Sequence, residues 1–241
     1  ERQAPATHHA GSRPAPLAGT DKAKRPRRAM ESEVAAHPGD PYASAKLGGL
    51  LISEGQHARA IPLLRSGLEQ ATGPGSERYE LLLHLALALT PTDPASAVNC
   101  YRQALAIPLD QRVSLGARIN LAARLLELGQ LDEALQLTQA ATQAAPEVAL
   151  GWANLGLMQR QKGNIGAALE AYSRAINLDP RNATCHQNHA VALLLGGDIE
   201  GARNSFRSAI QLFREQGRDR EAQALRDKAQ GLVKLDVEPI I

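Results

Sequence analysis

From residue 41 onward the sequence repeats itself every 34 residues, and a chain with that period has few folds open to it. Gly163, Ala168, Tyr172 and Ala175 return 34 residues later as Gly197, Ala202, Phe206 and Ala209. One period earlier stand Gly129, Ala134, Thr138 and Ala141, with Pro146 closing the unit. A unit at 78–111 aligns through Ala97, Tyr101 and Ala104, and one at 41–74 through Leu47, Gly48, Gly55, Ala60, Leu64 and Gly67. Short insertions separate the first three units. A fixed period of this length signals units that cannot bury an apolar face alone and must stack on their neighbours.

Within a unit the apolar residues follow helical spacing, as in Trp152, Leu155, Gly156 and again Ala168, Tyr172. Ala and Leu dominate a composition that is 44% hydrophobic and 3% aromatic, which favours helices packed closely through small side chains. Gly55, Gly129, Gly163 and Gly197 sit midway and split each unit into two helices. The second unit lacks this glycine and has Pro91, Asp93 and Pro94, which predict a turn with Asp93 as N-cap and Pro94 in the first helical position. Residues 218–234 predict a terminal helix with Ala222, Leu225, Ala229 and Leu232 on its apolar face. Residues 1–39 hold five prolines, and the chain's net positive charge comes from the first thirty of them. Seven Lys/Arg face two acids in residues 1–30, against 20 and 23 in the remainder. That composition predicts a tail or linker without structure, its one periodic piece running from about Met30 to Ala36.

Trp152, Leu155, Gly156, Gly163, Ala168, Tyr172, Ala175 and Pro180 resemble the tetratricopeptide repeat signature, and the resemblance extends over residues 41–216. It implies an all-α solenoid of about five helix-turn-helix repeats (41–74, 78–111, 115–148, 149–182 and 183–216) in a right-handed superhelix, with a capping helix within 217–241. It also implies a binding function. The first helix of each unit lines an inner wall that receives a protein or peptide, and the chain acts as scaffold, adaptor or assembly factor without catalysis. The outer units depart from the signature at His84, Leu85, His186, His189 and Ala190.

The sixth place of a unit faces inward in peptide-binding members of the family. It holds Lys46, Leu83, Asn120, Asn154 and Asn188 here. The three asparagines resemble the ladder of the O-linked glucosaminyl transferases, where side-chain amides offer donor and acceptor to an extended backbone. The expected contacts are Asn120, Asn154, Arg160, Asn188 and Lys46. The plainer reading is that Asn is a common solvated residue after the family's aromatic. The family's carboxylate clamp for chaperone tails is absent, because the inner places hold Ala45, Gly49, Ile119, Ala123, Ala153 and Leu157.

Other chemistry finds little support. No nucleophile elbow, phosphate-binding loop or zincin motif is present. Asp132 and Glu133 start a helix, where acids suit the dipole. His186 and His189 beside Cys185 have the spacing of metal ligands but occupy core places, so no metal or other cofactor is expected, and no small-molecule substrate. Lys22, Lys24, Arg25, Arg27 and Arg28 lack interleaved aromatics, which disfavours nucleic acid and leaves a solubilising tether. Cys100 and Cys185 lie too far apart in the repeat for a bridge, which fits a reducing, cytoplasmic setting. Asn182-Ala183-Thr184 is a glycosylation sequon by spelling alone. The alternatives are the repeat region of a larger enzyme or secretion component, and an assembly factor tethered to a membrane by a segment upstream of Glu1.

Overall fold

The computed structural model describes residues 21–233, with side chains from Arg27 onward. Among the described residues there are twelve helices and no strand. They are α1 (Asp21–Ala36), α2 (Pro41–Ser53), α3 (His57–Gln70), α4 (Ser76–Leu89), α5 (Pro94–Leu105), α6 (Leu115–Glu127), α7 (Leu131–Ala144), α8 (Ala149–Gln161), α9 (Ile165–Leu178), α10 (Ala183–Leu195), α11 (Ile199–Glu215) and α12 (Asp219–Val233). The chain forms two compact units, and the boundary falls inside α6, between Arg124 and Leu125.

In the first unit α2 packs on α3, α3 on α4 and α4 on α5, while α2 also meets α4 directly. The second unit has the same order: α7 on α8, α8 on α9, α9 on α10, α10 on α11, α11 on α12, with α8 meeting α10. First helices therefore neighbour first helices in each unit, and second helices flank them.

Local chemistry sets the boundaries. Gly163 has φ +86°, a left-handed conformation that side chains with a Cβ rarely adopt, and it reverses the chain between α8 and α9. The pair α4/α5 turns without such a glycine. There the Asp93 carboxylate accepts the Ser96 N–H at 3.0 Å, and Pro94 opens α5. Asp40, Asn182 and Asp198 cap α2, α10 and α11 in the same way.

Small residues allow the close approach that large ones then fill. A Cβ on Gly156 would lie 2.7 Å from the Tyr172 ring, and one on Gly48 would lie 2.5 Å from Leu64. Tyr172, Phe206 and Phe213 are buried in the second unit, as are Tyr101, Leu64 and Leu81 in the first. Each such side chain contributes about 1.5–3 kcal/mol by leaving water.

Two expectations are corrected. The composition of residues 1–39 reads as unstructured, yet residues 21–36 form α1. Arg27, Met30, Glu31 and Val34 lie half-buried at spacings of three and four, an amphipathic face that docks on α2. Charges complete the dock. Arg27 bonds Glu31 at 3.0 Å and Glu54 at 2.9 Å, and Arg59 reaches Glu31 at 3.3 Å. Pro38 stands three residues before α2, as Pro146 does before α8 and Pro180 before α10, so α1 holds the register of a second helix. Residues 1–20 lie outside the described residues. In α12 the buried face is Ala222, Leu225, Ala229 and Val233, whereas Leu232 is 54% exposed. A turn of 3.6 residues carries the stripe on to Val233 by a second step of four.

Candidate functional site

The five residues expected on the inner wall fare differently. Lys46 is exposed on α2, its Nζ 5.2 Å from the Tyr42 ring centroid. Arg160 on α8 and Asn188 on α10 are half-buried. Asn120 on α6 and Asn154 on α8 are buried, at 5% and 1% exposure. The neighbouring inner places are closed too, since Ala45, Ile119, Ala123, Ala153 and Leu157 are all buried. Asn120 belongs to the first unit, and Asn154, Arg160 and Asn188 to the second.

The two buried asparagines are held in opposite ways. Asn120 hydrogen-bonds the hydroxyl of Tyr101, the large residue of the preceding second helix, α5. Burial pushes that phenol up to about 12, with Thr90, Arg124 and Asn120 opposing the rise. Asn154 has no such partner. Its Nδ2 and Oδ1 are both sealed from solvent and neither is hydrogen-bonded. The residue that matches Tyr101 in the preceding second helix, α7, is Thr138, whose hydroxyl turns back on its own helix to the carbonyls of Leu135 at 2.9 Å and Ala134 at 3.1 Å.

Packing fixes this register independently. A Cβ on Gly151 would touch Thr142 Cγ2 at 3.5 Å, so Thr142 of α7 faces Gly151 of α8. One turn back along α7 is Thr138, and one turn onward along α8 is Asn154. By the repeat register the pair corresponds to Tyr101 and Asn120 in the first unit, and no hydrogen bond joins Thr138 to Asn154. The signal was present in the repeat: Thr138 stands where the aligned units carry Tyr101, Tyr172 and Phe206.

Around Tyr172 the second unit has another arrangement. Burial pushes its phenol up to about 12 as well, and the Arg160 guanidinium opposes the rise. The His189 ring meets Tyr172 edge-on at 6.4 Å, and its Nδ1 lies 3.1 Å from Ser205 Oγ. Burial holds the His189 imidazole below its ordinary range. His186 Nε2 sits 3.0 Å from the Pro180 carbonyl, and Cys185 Sγ lies 3.8 Å from the Tyr172 carbonyl. The three side chains considered as metal ligands are thus each engaged elsewhere, and no group of three or more His, Cys, Asp or Glu among the described residues could hold a metal. Both cysteines are free and buried. Of the basic cluster, Arg27 is committed to carboxylates and Arg28 is exposed, while the side chains of Lys22, Lys24 and Arg25 lie outside the described residues. No described helix is long and apolar enough to cross a membrane.

Paired antiparallel helices with a glycine turn, small-against-aromatic contacts and a 34-residue register agree with the family models. Residues 90–176 match the one described as tetratrico peptide repeat, and residues 156–197 match a TPR repeat model. The helix pairs are tetratricopeptide repeats. A TPR repeat-containing protein of Synechococcus elongatus is 37% identical over 211 residues, covering 87% of this chain and 52% of that protein. The chain thus spans about half the length of this relative. Among solved tetratricopeptide structures, MamA from Desulfovibrio magneticus RS-1 has a TM-score of 0.63 at 22% identity, covering 73% of this chain and 97% of that one. YrrB, described as a TPR protein with an unusual peptide-binding site, has a TM-score of 0.60 at 17% identity, covering 82% and 99%. At these identities the likeness is one of fold.

Proposed function

We propose that this chain binds an extended segment of a protein or peptide along the wall made by its first helices, and serves as a scaffold or adaptor without chemistry of its own. In the second unit the wall is α8 and α10, with Asn154, Arg160 and Asn188 as contacts. In the first unit Lys46 offers an exposed cation on α2. The observation that carries the reading is Asn154, a buried amide with donor and acceptor both unpartnered. Leaving such a group unpaired costs on the order of 1–3 kcal/mol, which an arriving backbone N–H and C=O would recover. The direct packing of α8 on α10 supports a continuous wall within that unit. YrrB, a protein of the same fold, is described as having a peptide-binding site, which supports the reading by analogy. Affinity on the order of micromolar is expected, because few aromatic anchors offset the ordering of an extended guest.

Pull-down with the full chain, repeated with Asn154, Arg160 and Asn188 each changed to Ala, tests the wall. Loss of the same captured partner in two or more variants is the expected result. Partners retained equally by all three would place the binding face elsewhere.

A further inference from the structure

We propose that the apolar edge at the α10/α11 turn is the seat of this chain's own residues 234–241, which strap the last repeat. The proposal stands independently of the binding wall.

The edge departs from the pattern of the repeat. At the thirteenth place of a unit the first four repeats carry the polar residues Ser53, Thr90, Glu127 and Gln161, whereas the fifth carries Leu195. At the seventeenth place Leu131 and Ile165 are half-buried in the third and fourth repeats. In the fifth, Ile199 is 54% exposed and Leu195 60%. The cover over Ile165 is visible. A Cβ on Gly196 would lie 3.4 Å from Ile165 Cγ2, so the α10/α11 turn leans on the turn before it. The α10/α11 turn itself leaves both of its large apolar side chains more than half in water.

The place where α12 ends says what covers them. Helix α12 packs on α11, and the Val233 carbonyl accepts the Arg203 Nε–H at 3.0 Å. Arg203 also pairs with Glu200, which ties it to the first turn of α11. Ile199 lies one turn, about 5.4 Å, before Arg203 on the same helix face. The chain therefore leaves α12 beside the exposed edge. The eight residues KLDVEPII follow and lie outside the described residues. Fully extended, eight residues span roughly 26 Å, several times the step from Arg203 to Ile199.

Their chemistry suits the seat. Leu235 and Val237 alternate with Lys234, Asp236 and Glu238, a pattern that gives an extended chain one apolar face. Pro239 disfavours helix at the residue before it and so opposes a continuation of α12. Ile240 and Ile241 add apolar surface. Lys234 brings a cation to a turn whose own charges are the acids Asp198 and Glu200. A segment tethered this close has an effective concentration in the millimolar range, above that of a second copy in dilute solution.

The test places the photo-crosslinker benzoylphenylalanine at position 199 of the full chain. The protein is irradiated at micromolar concentration, and its tryptic peptides are read by mass spectrometry. The expected product is a monomer in which position 199 is joined to the peptide of residues 235–241. Leu195→Asp, and separately Leu235→Asp with Val237→Asp, should each lower its yield at least about fivefold, because each replaces buried apolar surface with charge. Circular dichroism checks that helix content is kept in these variants. The same crosslinker at position 178, exposed at the far end of α9 and about 20 Å along that helix from Ile165, should give several times less of the product. Equal yields from positions 199 and 178, or yields unmoved by the substitutions, would show a segment without a seat. Products joining two chains would give the edge to a second copy, and links to neither would leave it bare. Each of these results overturns the proposal.

Discussion

Asn120 and Asn154 occupy the same place in consecutive repeats and have the same side chain, yet one is bonded and the other is not. The difference lies in the helix behind each. Tyr101 spans the gap to Asn120, while Thr138 bonds its own backbone and leaves Asn154 alone. A column of identical residues in a repeat protein is therefore not a column of identical environments. In the first repeat of the pair the helix behind supplies a hydrogen-bond partner, and in the second it does not.

The comparison can be broken most severely at the two supporting residues. Tyr101→Ala should cost about 3–5 kcal/mol, the usual range for emptying an aromatic site, whereas Thr138→Ala should cost about 1 kcal/mol. Equilibrium denaturation of both variants checks this, and equal losses would mean that Tyr101 is not the larger support. The asparagines should then differ in sign. Asn120→Ala removes one of the two side chains that hydrogen-bond the Tyr101 hydroxyl, Thr90 being the other, and should destabilise by about 1 kcal/mol. Asn154→Ala removes an unpaired buried amide and should lie within about 0.5 kcal/mol of wild type, or above it. A thermal melt in which both fall equally would show that Asn154 has a partner in the folded chain. Tyr101→Phe keeps the ring and deletes only the hydroxyl, so about 1 kcal/mol is expected, and Asn120→Ala should add little on top of it.

The smallest effect is a pH dependence that the two units share. Burial holds the imidazoles of His84, against Gly49 in the first unit, and of His189, against Tyr172 in the second, below the ordinary value. The unfolded chain then binds more protons than the folded one as pH falls below about 6.5. Stability should be flat above that pH and decline beneath it until the folded-state values are passed. His84→Gln and His189→Gln should each flatten the decline. A stability that rises on acidification would contradict the assigned direction for both rings.

Most of the fold was legible because the period, the mid-unit glycines and the Asp93–Pro94 turn are local signals that packing reinforces. The first helix was not. Its stretch of sequence carries proline and strong basic charge, and its partners, Glu54 and Arg59, are supplied by α2–α3 and lie more than twenty residues away. The terminal helix was read with its last apolar residue one place early, since Leu232 and Val233 are equally apolar and only the helical pitch separates them. For the wall, the sequence treated the asparagines of the column alike, whereas the structure buries Asn120 and Asn154 and leaves Asn188 half-buried. Burial of Asn120 and Asn154, and the missing bond between Thr138 and Asn154, depend on which side chain stands across the helix interface, a relation between two units that no single unit displays.

The dock of α1 has a consequence for how the chain responds to its medium. Among its described side chains the apolar grip is the half-buried Met30 and Val34, beside a cluster of partly exposed ion pairs linking Arg27, Glu31, Glu54 and Arg59. Such pairs weaken as salt shortens the screening length from about 10 Å at 0.1 M to about 3 Å at 1 M, while apolar packing elsewhere does not. Ionic strength thus becomes a dial that loosens one helix and leaves its neighbours unmoved, and amide hydrogen exchange along residues 27–36 would register each turn of it.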